Sequence, residues 1–266
     1  MCLTLTFNIE DQYASDNFDS RIGNDILLTA FRGGGAVWSE VIPYERIHNG
    51  ECTIKKPDGL DGNVTFVAWA APKSSATPAI YTPLPSGTSF DNFFFEQTAG
   101  SVAGGLAVPE TFHFGTDSVA ISADEPTNTS ISLKPVTCRV EVRVHSEKAP
   151  DQTPTAVING TASRANLEGK GSGGDKAVVA AFLNPSSSLY TTNIVPVMPS
   201  PDGQSVSVTI LDGTETVATL SAPASVTRVA AQSGGYILFD YTVNTASVTI
   251  TVEDWQIAGT VTVNNM

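Results

Sequence analysis

The feature that most constrains the fold is a regular alternation of apolar and polar residues over strand-length stretches. It is clearest between residues 136 and 145, where every second residue is valine or cysteine and the residues between are polar. Successive side chains of a β-strand point to opposite faces, whereas an α-helix cannot place such a set on one side. The same period recurs in residues 3–9 and 248–252. These stretches predict strands with one face in a core and the other in water.

The alternation predicts about seven strands in each half of the chain and little helix. Gly33, Gly34 and Gly35 lie between two such runs, and so do Asp212 and Gly213, where they favour tight hairpin turns. We therefore expect an all-β protein of two tandem antiparallel β-sandwiches, Greek-key domains of the transthyretin-like or immunoglobulin-like type. The expected strands cover residues 2–9, 25–32, 36–42, 64–70, 93–97, 111–114, 131–145, 156–163, 176–183, 189–197, 205–211, 214–220, 236–243 and 246–252.

Two interruptions of the pattern organise the chain. At Pro135 the apolar positions change from odd to even, which a bulge or a passage between sheets would produce. Residues 146–154 are polar, contain two prolines and show no alternation. We therefore expect a first domain at 1–148, a linker at 149–154 and a second domain at 155–266.

The charge of the chain excludes some partners and leaves its location open. The 266 residues carry a net charge of −13, so we expect no nucleic-acid partner. No apolar run approaches the roughly 20 residues that a membrane-spanning helix needs. The chain opens on a strand rather than on a basic, apolar leader. It is either cytosolic or exported with a leader absent from this sequence.

Few residues suggest chemistry, and we expect no enzyme, no catalytic or metal-binding residues and no cofactor. The glycines of residues 169–174 have dinucleotide-loop spacing, but the flanking runs look antiparallel, so a flexible surface loop is expected. His48, His113 and His145 lack a nucleophile motif, and the last two are expected on solvent-facing sides of strands. Nothing singles out a pair of carboxylates for sugar cleavage.

Three further patterns have a structural interpretation beside a functional one. Calcium could bind Asp16, Asn17 and Asp19, or Asp58, Asp61 and Asn63, although such residues are also ordinary turn formers. Cys2 could form a disulfide with Cys52 if their strands are neighbours, whereas Cys138 is expected in a core. Trp38 and Trp69 belong either to a core or to an exposed platform for sugars.

Five stretches, taken in order, carry a resemblance. They are residues 2–7 (CLTLTF), 25–31 (DILLTAF), 62–70 (GNVTFVAWA), the strand 134–145 and residues 252–255 (VEDW). In order and spacing they resemble the fimbrillin-associated anchor family of Bacteroidetes, whose members belong to the type V pilus system. The resemblance implies a non-enzymatic subunit that terminates or tethers a fimbria at the outer membrane, through a lipid on a cysteine upstream of Cys2.

The partners implied by this resemblance are other fimbrial subunits, bound by strand addition at sheet edges. The first strand (residues 3–9) and the segment 256–266 are the expected exchangeable elements. Arg21 and Arg32 could be processing sites, although nothing marks either. The alternative is an adhesin module that binds a glycan or host ligand through sandwich loops or through Trp38 and Trp69.

Overall fold

The structure of the protein is a computed structural model, and it describes residues 1–10, 22, 25–70, 83–92, 94–96, 112–148, 150–166, 168–183, 188–222, 228–243, 247–253 and 258–264. These residues form eighteen β-strands and two three-residue 3₁₀ turns, Tyr44–Arg46 and Phe90–Asn92. The expected all-β class with little helix is therefore confirmed.

The strands other than β6 divide between two compact units, each built on its own sheet; a boundary between the units falls within β6. The first sheet contains β1 (Cys2–Ile9), β2 (Ile26–Arg32), β3 (Gly35–Ile42), β4 (Glu51–Lys55), β5 (Gly62–Ala70), β7 (His113–Ile121) and β8 (Thr127–Pro135). The second contains β6 (Phe94–Glu96), β9 (Cys138–His145), β10 (Pro154–Asn166), β11 (Gly171–Leu183), β12 (Leu189–Thr192), β13 (Val195–Val197), β14 (Ser207–Asp212), β15 (Glu215–Ser221), β16 (Tyr236–Thr242), β17 (Ser247–Glu253) and β18 (Ala258–Asn264).

The first sheet has the order β3-β2-β5-β7-β8-β1-β4 and encloses one hydrophobic core. Leu5 of β1 and Ile131 of β8 belong to this core together with Leu28 of β2 and Phe66 of β5, and none of the four is exposed. The two ends of the sheet thus act as the two layers of a β-sandwich. Neighbouring strands are antiparallel except β1 and β8, which run parallel.

The second sheet has the order β15-β14-β10-β11-β12-β9-β16-β17-β18, with β13 beside β9 and β6 beside β10. Its core contains Val142 of β9, Phe239 of β16, Ile158 of β10 and Val208 of β14. In β9 buried and half-buried residues alternate without a break, as the sequence predicts. The pairs formed among β9 to β18 are antiparallel apart from one, β9 with β16, which run parallel.

The two units share one arrangement of strands. When β6 is set aside and β12 with β13 counts as one broken strand, each unit has a layer of its third, second, fifth and sixth strands and a layer of its seventh, first and fourth. The layers join between β7 and β8 in the first unit and between β11 and β12 in the second. In the described residues, β17 and β18 have no counterpart in the first unit. They extend the second sheet beyond the seven shared strands.

One passage of the chain from the first unit to the second lies between Val136 and Thr137. The N–H of Val136 donates to the carbonyl of Phe112 in the first unit at 2.7 Å, and the carbonyl of Thr137 accepts from Gly234 in the second at 3.1 Å. The parity change at Pro135 thus marks a passage between sheets, one of the two causes considered above.

The segment 149–154 therefore lies inside the second unit, which differs from the expected linker. The carboxylate of Asp212 accepts hydrogen bonds of 2.8 Å from the backbone N–H groups of Asp151 and Gln152. The described part of this segment connects β9 to β10, so its polar, proline-containing composition reflects a surface connection within one unit. The strand that precedes it also belongs to the second unit, because β9 pairs with β16.

Both predicted hairpins form. Gly33 and Gly34 have φ angles of 57° and 83° and join β2 to β3, where Arg32 pairs with Gly35. Gly213, with φ 62°, joins β14 to β15, where Asp212 pairs with Glu215. Positive φ is the reason for glycine at these positions.

Candidate functional site

The histidines do not assemble a reactive centre among the described residues, which also contain no group of three or more His, Cys, Asp or Glu able to hold a metal ion. His48 is exposed in a turn. His145 faces outward as predicted, and its Nε2 lies 2.9 Å from Oδ1 of Asp240. The solvent-facing position predicted for His113 is wrong, because this side chain is 2% exposed. It opens β7, where it pairs with Ala70 of β5 and Pro135 of β8.

A polar network lies on the outward face of β9 and β16. Glu141 accepts hydrogen bonds from Nε of Arg143 at 2.7 Å, from the hydroxyl of Tyr236 at 2.6 Å and from the hydroxyl of Thr191 at 3.2 Å. Partial burial by itself raises the pKa of Glu141, but the bonds from Arg143, Tyr236 and Thr191 outweigh burial, so the pKa lies below its usual value. A carboxylate held ionised in this way is a poor general base. The network joins strands β9, β12 and β16.

The glycine-rich stretch belongs to a hairpin. Gly171, Ser172 and Gly173 lie at the start of β11, where Ser172 pairs with Arg164 of β10 in antiparallel register. The expected loop is therefore wrong, and a parallel strand–helix unit for a dinucleotide is absent from this part of the structure. A Cβ at Gly171 would collide with the carbonyl of Pro199, so close backbone packing explains this glycine.

Trp38 and Trp69 form no exposed platform. Trp69 is 1% exposed, and its ring lies 5.7 Å from that of Phe114. Phe66 and Ala68, on the opposite face of β5, are also buried, so both faces of this strand are covered here. Trp38 is half-buried and packs against the core of the first unit. The core interpretation of both residues is therefore correct.

The three cysteines form no disulfide. The strands of Cys2 and Cys52 are neighbours, but Cys2 pairs with Lys55 and Cys52 with Leu5, so the two thiols lie on opposite faces. Cys2 is exposed, whereas Cys52 is buried, and Cys138 is buried as predicted. Burial raises the pKa of Cys52; nearby Arg46 opposes this effect and Glu40 adds to it.

The calcium candidates gain no support from the described residues. Asp61 lies in the turn before β5, where its backbone carbonyl and that of Gly59 accept hydrogen bonds from Nη2 of Arg32. Asp58 belongs to the same turn, and Asn63 lies within β5 and pairs with Ala120. The other candidates, Asp16, Asn17 and Asp19, and the possible processing site Arg21 lie outside the described residues.

In the described part of the chain, four strands end the main paths of the two sheets, and three of them carry features that discourage pairing. Residues 84–90 cover part of β3, since Gly87 donates to the carbonyl of Ala36 at 2.8 Å. The short strand β4 has charged residues at both ends, Glu51 and Lys55. In β15 the register skips Val217, which forms a bulge. Short, charged, covered or bulged edges are how proteins avoid unwanted strand pairing.

The fourth end, β18, has none of these features. It is seven residues long, contains no charged residue and no proline, and pairs with β17 without a register break. In the described residues no strand pairs with its other side. Of the two exchangeable segments expected from the sequence, 256–266 contains this edge strand. The other segment, β1, lies inside its sheet between β4 and β8.

The described residues contain no helix with the length and apolar character required to span a membrane. A search of the curated proteins found no match. Among solved structures, the fimbrial anchor protein Mfa2 from Porphyromonas gingivalis is similar with a TM-score of 0.62 and 12% identity, over 97% of this chain and 99% of that one.

Two other solved structures have the same fold. A fimbrial assembly protein from Parabacteroides distasonis has a TM-score of 0.59 and 12% identity, over 98% of both chains. A candidate adhesin from Bacteroides thetaiotaomicron has a TM-score of 0.64 and 15% identity, over 98% of this chain and 97% of that one.

A family model decides the relationship. It describes the fimbrillin-A associated anchor proteins Mfa1 and Mfa2 and matches residues 2–260, nearly the whole chain. The resemblance noted from five short stretches is thereby confirmed. The chain belongs to the family of fimbrillin-A associated anchor proteins Mfa1 and Mfa2, structural proteins of cell-surface fimbriae.

Proposed function

We propose that this protein is a non-enzymatic anchor or accessory subunit of a fimbrium and that it engages a neighbouring subunit by strand addition along β18. The observation that carries this proposal is the character of that edge: it is long, uncharged and unbroken, and it lies outside the seven strands shared by both units. A partner can use it without disturbing the shared arrangement.

Strand addition suits a structural role because backbone groups supply the contacts. Alternate residues of an edge strand direct their N–H and C=O groups away from the sheet, ready for another strand. The side chains of the incoming strand then determine specificity, because alternate side chains must fit the surface of the partner. The threonines and valines at 260–263 have high strand propensity, so this edge needs little ordering before it pairs.

Proline substitution tests the edge directly. Val261→Pro and Thr262→Pro differ by one position, so one removes an N–H that bonds to β17 and the other removes an N–H that faces outward. The variant that removes the outward-facing N–H should retain the melting temperature of the wild type. In biolayer interferometry it should no longer bind the purified polymerising subunit. Thr219→Pro on the bulged edge of β15 is the matched control and should leave binding unchanged. Wild-type binding by both β18 variants would exclude this edge.

We also propose attachment to the outer membrane through a lipid on a cysteine upstream of Cys2. Cys2 itself belongs to β1 and pairs with Lys55, which leaves no flexible tether between a lipid there and the folded unit. Labelling of the full gene product in cells with an alkyne fatty acid tests this. Labelling that persists in Cys2→Ser supports the proposal, and its loss in that variant overturns it.

A further inference from the structure

A polar groove opens on the first unit where β5 and β7 run beside the β2–β3 hairpin. It has a volume of about 420 Å³, within the range of roughly 300–1,000 Å³ typical of small-ligand sites. The hairpin contributes Arg32 and Gly33 to its lining, and the two strands contribute Asn63, Thr65, Ser118 and Ala120.

The floor of the groove carries a pair of hydroxyl groups. Thr65 and Ser118 are direct partners across β5 and β7, and their oxygens lie 2.9 Å apart. Ser118 is exposed and Thr65 half-buried. Each hydroxyl has one donor and two acceptor positions, so a mutually bonded pair still has capacity for a ligand. The exposed amide of Asn63, two residues along β5, adds donors and an acceptor of its own.

One wall is held in place by Arg32. Its Nη2 donates to the carbonyls of Gly59 and Asp61 and lies 4.0 Å from the carboxylate of Asp61. These three contacts all use one nitrogen of the guanidinium group. A planar group fixed in this manner can present its other N–H groups with little entropic cost.

The same face of β5 changes character along its length. Asn63 is exposed and Thr65 half-buried, but Val67 and Trp69 are each 1% exposed. At the border Phe31 is also buried, with its ring 5.0 Å from that of Phe90 in an edge-to-face contact. The apolar end of the face is therefore closed, and the end that carries hydrogen-bonding groups is open.

We propose that this groove binds a short stretch of neutral glycan. Hydroxyl, amide and guanidinium groups match the donors and acceptors of sugar hydroxyls, and the methyl groups of Thr65 and Ala120 can contact the apolar face of a sugar ring. No carboxylate or imidazole is among the described residues of the lining. The net charge of −13 opposes a polyanionic ligand. This site lies on the other unit from β18 and does not depend on strand addition.

The test uses the full chain on an array of neutral oligosaccharides of two to four sugars, with calorimetric titration of cellotetraose, mannotetraose and N-acetyllactosamine. We expect at least one probe to bind at millimolar concentration or below. Combined Thr65→Val and Ser118→Ala substitutions should weaken that binding at least tenfold. Ala120→Trp, at an exposed position, should abolish it by filling the groove.

The matched control is another exposed cross-strand hydroxyl pair of the same unit, Thr4 and Thr53, with oxygens 3.3 Å apart. Substitution of both by valine removes the same groups away from the groove and should leave binding unchanged. Melting temperatures establish that each variant is folded. The proposal is overturned if no probe binds at 5 mM. It is also overturned if the groove variants bind the probe as tightly as the wild type does.

Discussion

Tyr236 and Glu141 connect the parallel strands β16 and β9 through a hydrogen bond of 2.6 Å from the tyrosine hydroxyl to Oε2 of the carboxylate. In register, Leu238 rather than Tyr236 lies opposite Glu141. The bond is therefore diagonal, and it spans the first and seventh strands of the shared arrangement. Together with the bonds from Arg143 and Thr191 to Oε1, it gives this half-buried carboxylate three hydrogen bonds.

The first prediction concerns Glu141→Gln. Replacement of the carboxylate by an amide removes the charge and puts an NH₂ group opposite hydrogen-bond donors. Two of the three hydrogen bonds to residue 141 therefore weaken or fail. Hydrogen bonds to charged groups contribute about 1.5–3 kcal/mol each, and we expect the unfolding free energy at pH 7 to fall by about 1–3 kcal/mol in urea titrations. Glu215→Gln on the exposed edge of β15 should change it by less than about 0.5 kcal/mol. Equal effects of the two substitutions would contradict the structure.

The same carboxylate predicts a dependence on pH. The folded pKa of Glu141 is lowered, so its charged form stabilises the fold fully above the unfolded pKa of about 4.3. That contribution is lost as the pH falls through the lower folded value. The stability difference between the wild type and Glu141→Gln should therefore be constant near neutrality and shrink below about pH 4. A difference that grows on acidification would show that another group controls it.

A third prediction separates β1 from the edge strands. Leu5 is completely buried and β1 pairs on both sides, so Leu5→Ala should destabilise the first unit by about 2–5 kcal/mol. Thr6→Ala, at the half-buried neighbour, should cost less than about 1 kcal/mol. If β1 were a loosely held strand, the leucine substitution would have an effect as small as that of the threonine.

The sequence predicted the strands well where one face is buried and the other is wet. In β1 and β9 the alternation of burial follows the apolar residues directly, because both strands have a core on one side only. It failed where both faces are covered, as at His113, since alternation carries no signal there. Polar residues such as His113 then look exposed although they are buried.

Features that depend on distant parts of the chain were beyond the sequence. The parallel pairing of Leu3 with Thr127 joins residues that no local pattern connects. The strand β4 also alternates, but it was missed because it is only five residues long and has two apolar residues, Cys52 and Ile54. The groove at Thr65 and Ser118 was missed because its two hydroxyls become neighbours only through the pairing of β5 with β7. The strand β18 lies within the segment 256–266 that was expected to be exchangeable, but it was not among the expected strands.

The fourth prediction uses the cysteines as probes. With no disulfide present, the exposed thiol of Cys2 should react quickly with a thiol reagent in the native protein. Cys52 and Cys138 are 2% and 1% exposed, and burial raises the pKa of Cys52, so both should react only on unfolding. We expect one fast thiol in buffer, three in denaturant, and no fast thiol in Cys2→Ser. A second fast thiol in buffer would contradict the packing of β4 or β9.

The last prediction concerns a glycine inside β7. Gly115 is buried and pairs with Ala68 of β5, and a Cβ there would collide with the carbonyl of Ser132 and lie 2.8 Å from Cγ2 of Ile131. Its φ angle is not positive, so the constraint is the close approach of β8 rather than backbone conformation. Gly115→Ala should lower the unfolding free energy by about 1–3 kcal/mol or more, as overpacking does.

Gly35→Ala is the matched control, because the atom nearest to an added Cβ would lie 3.9 Å away and the strand geometry is ordinary. Thermal denaturation of both variants, followed by near-ultraviolet circular dichroism, should show a lower melting temperature for Gly115→Ala alone; unchanged melting of that variant would mean that β7 and β8 do not approach as closely as described.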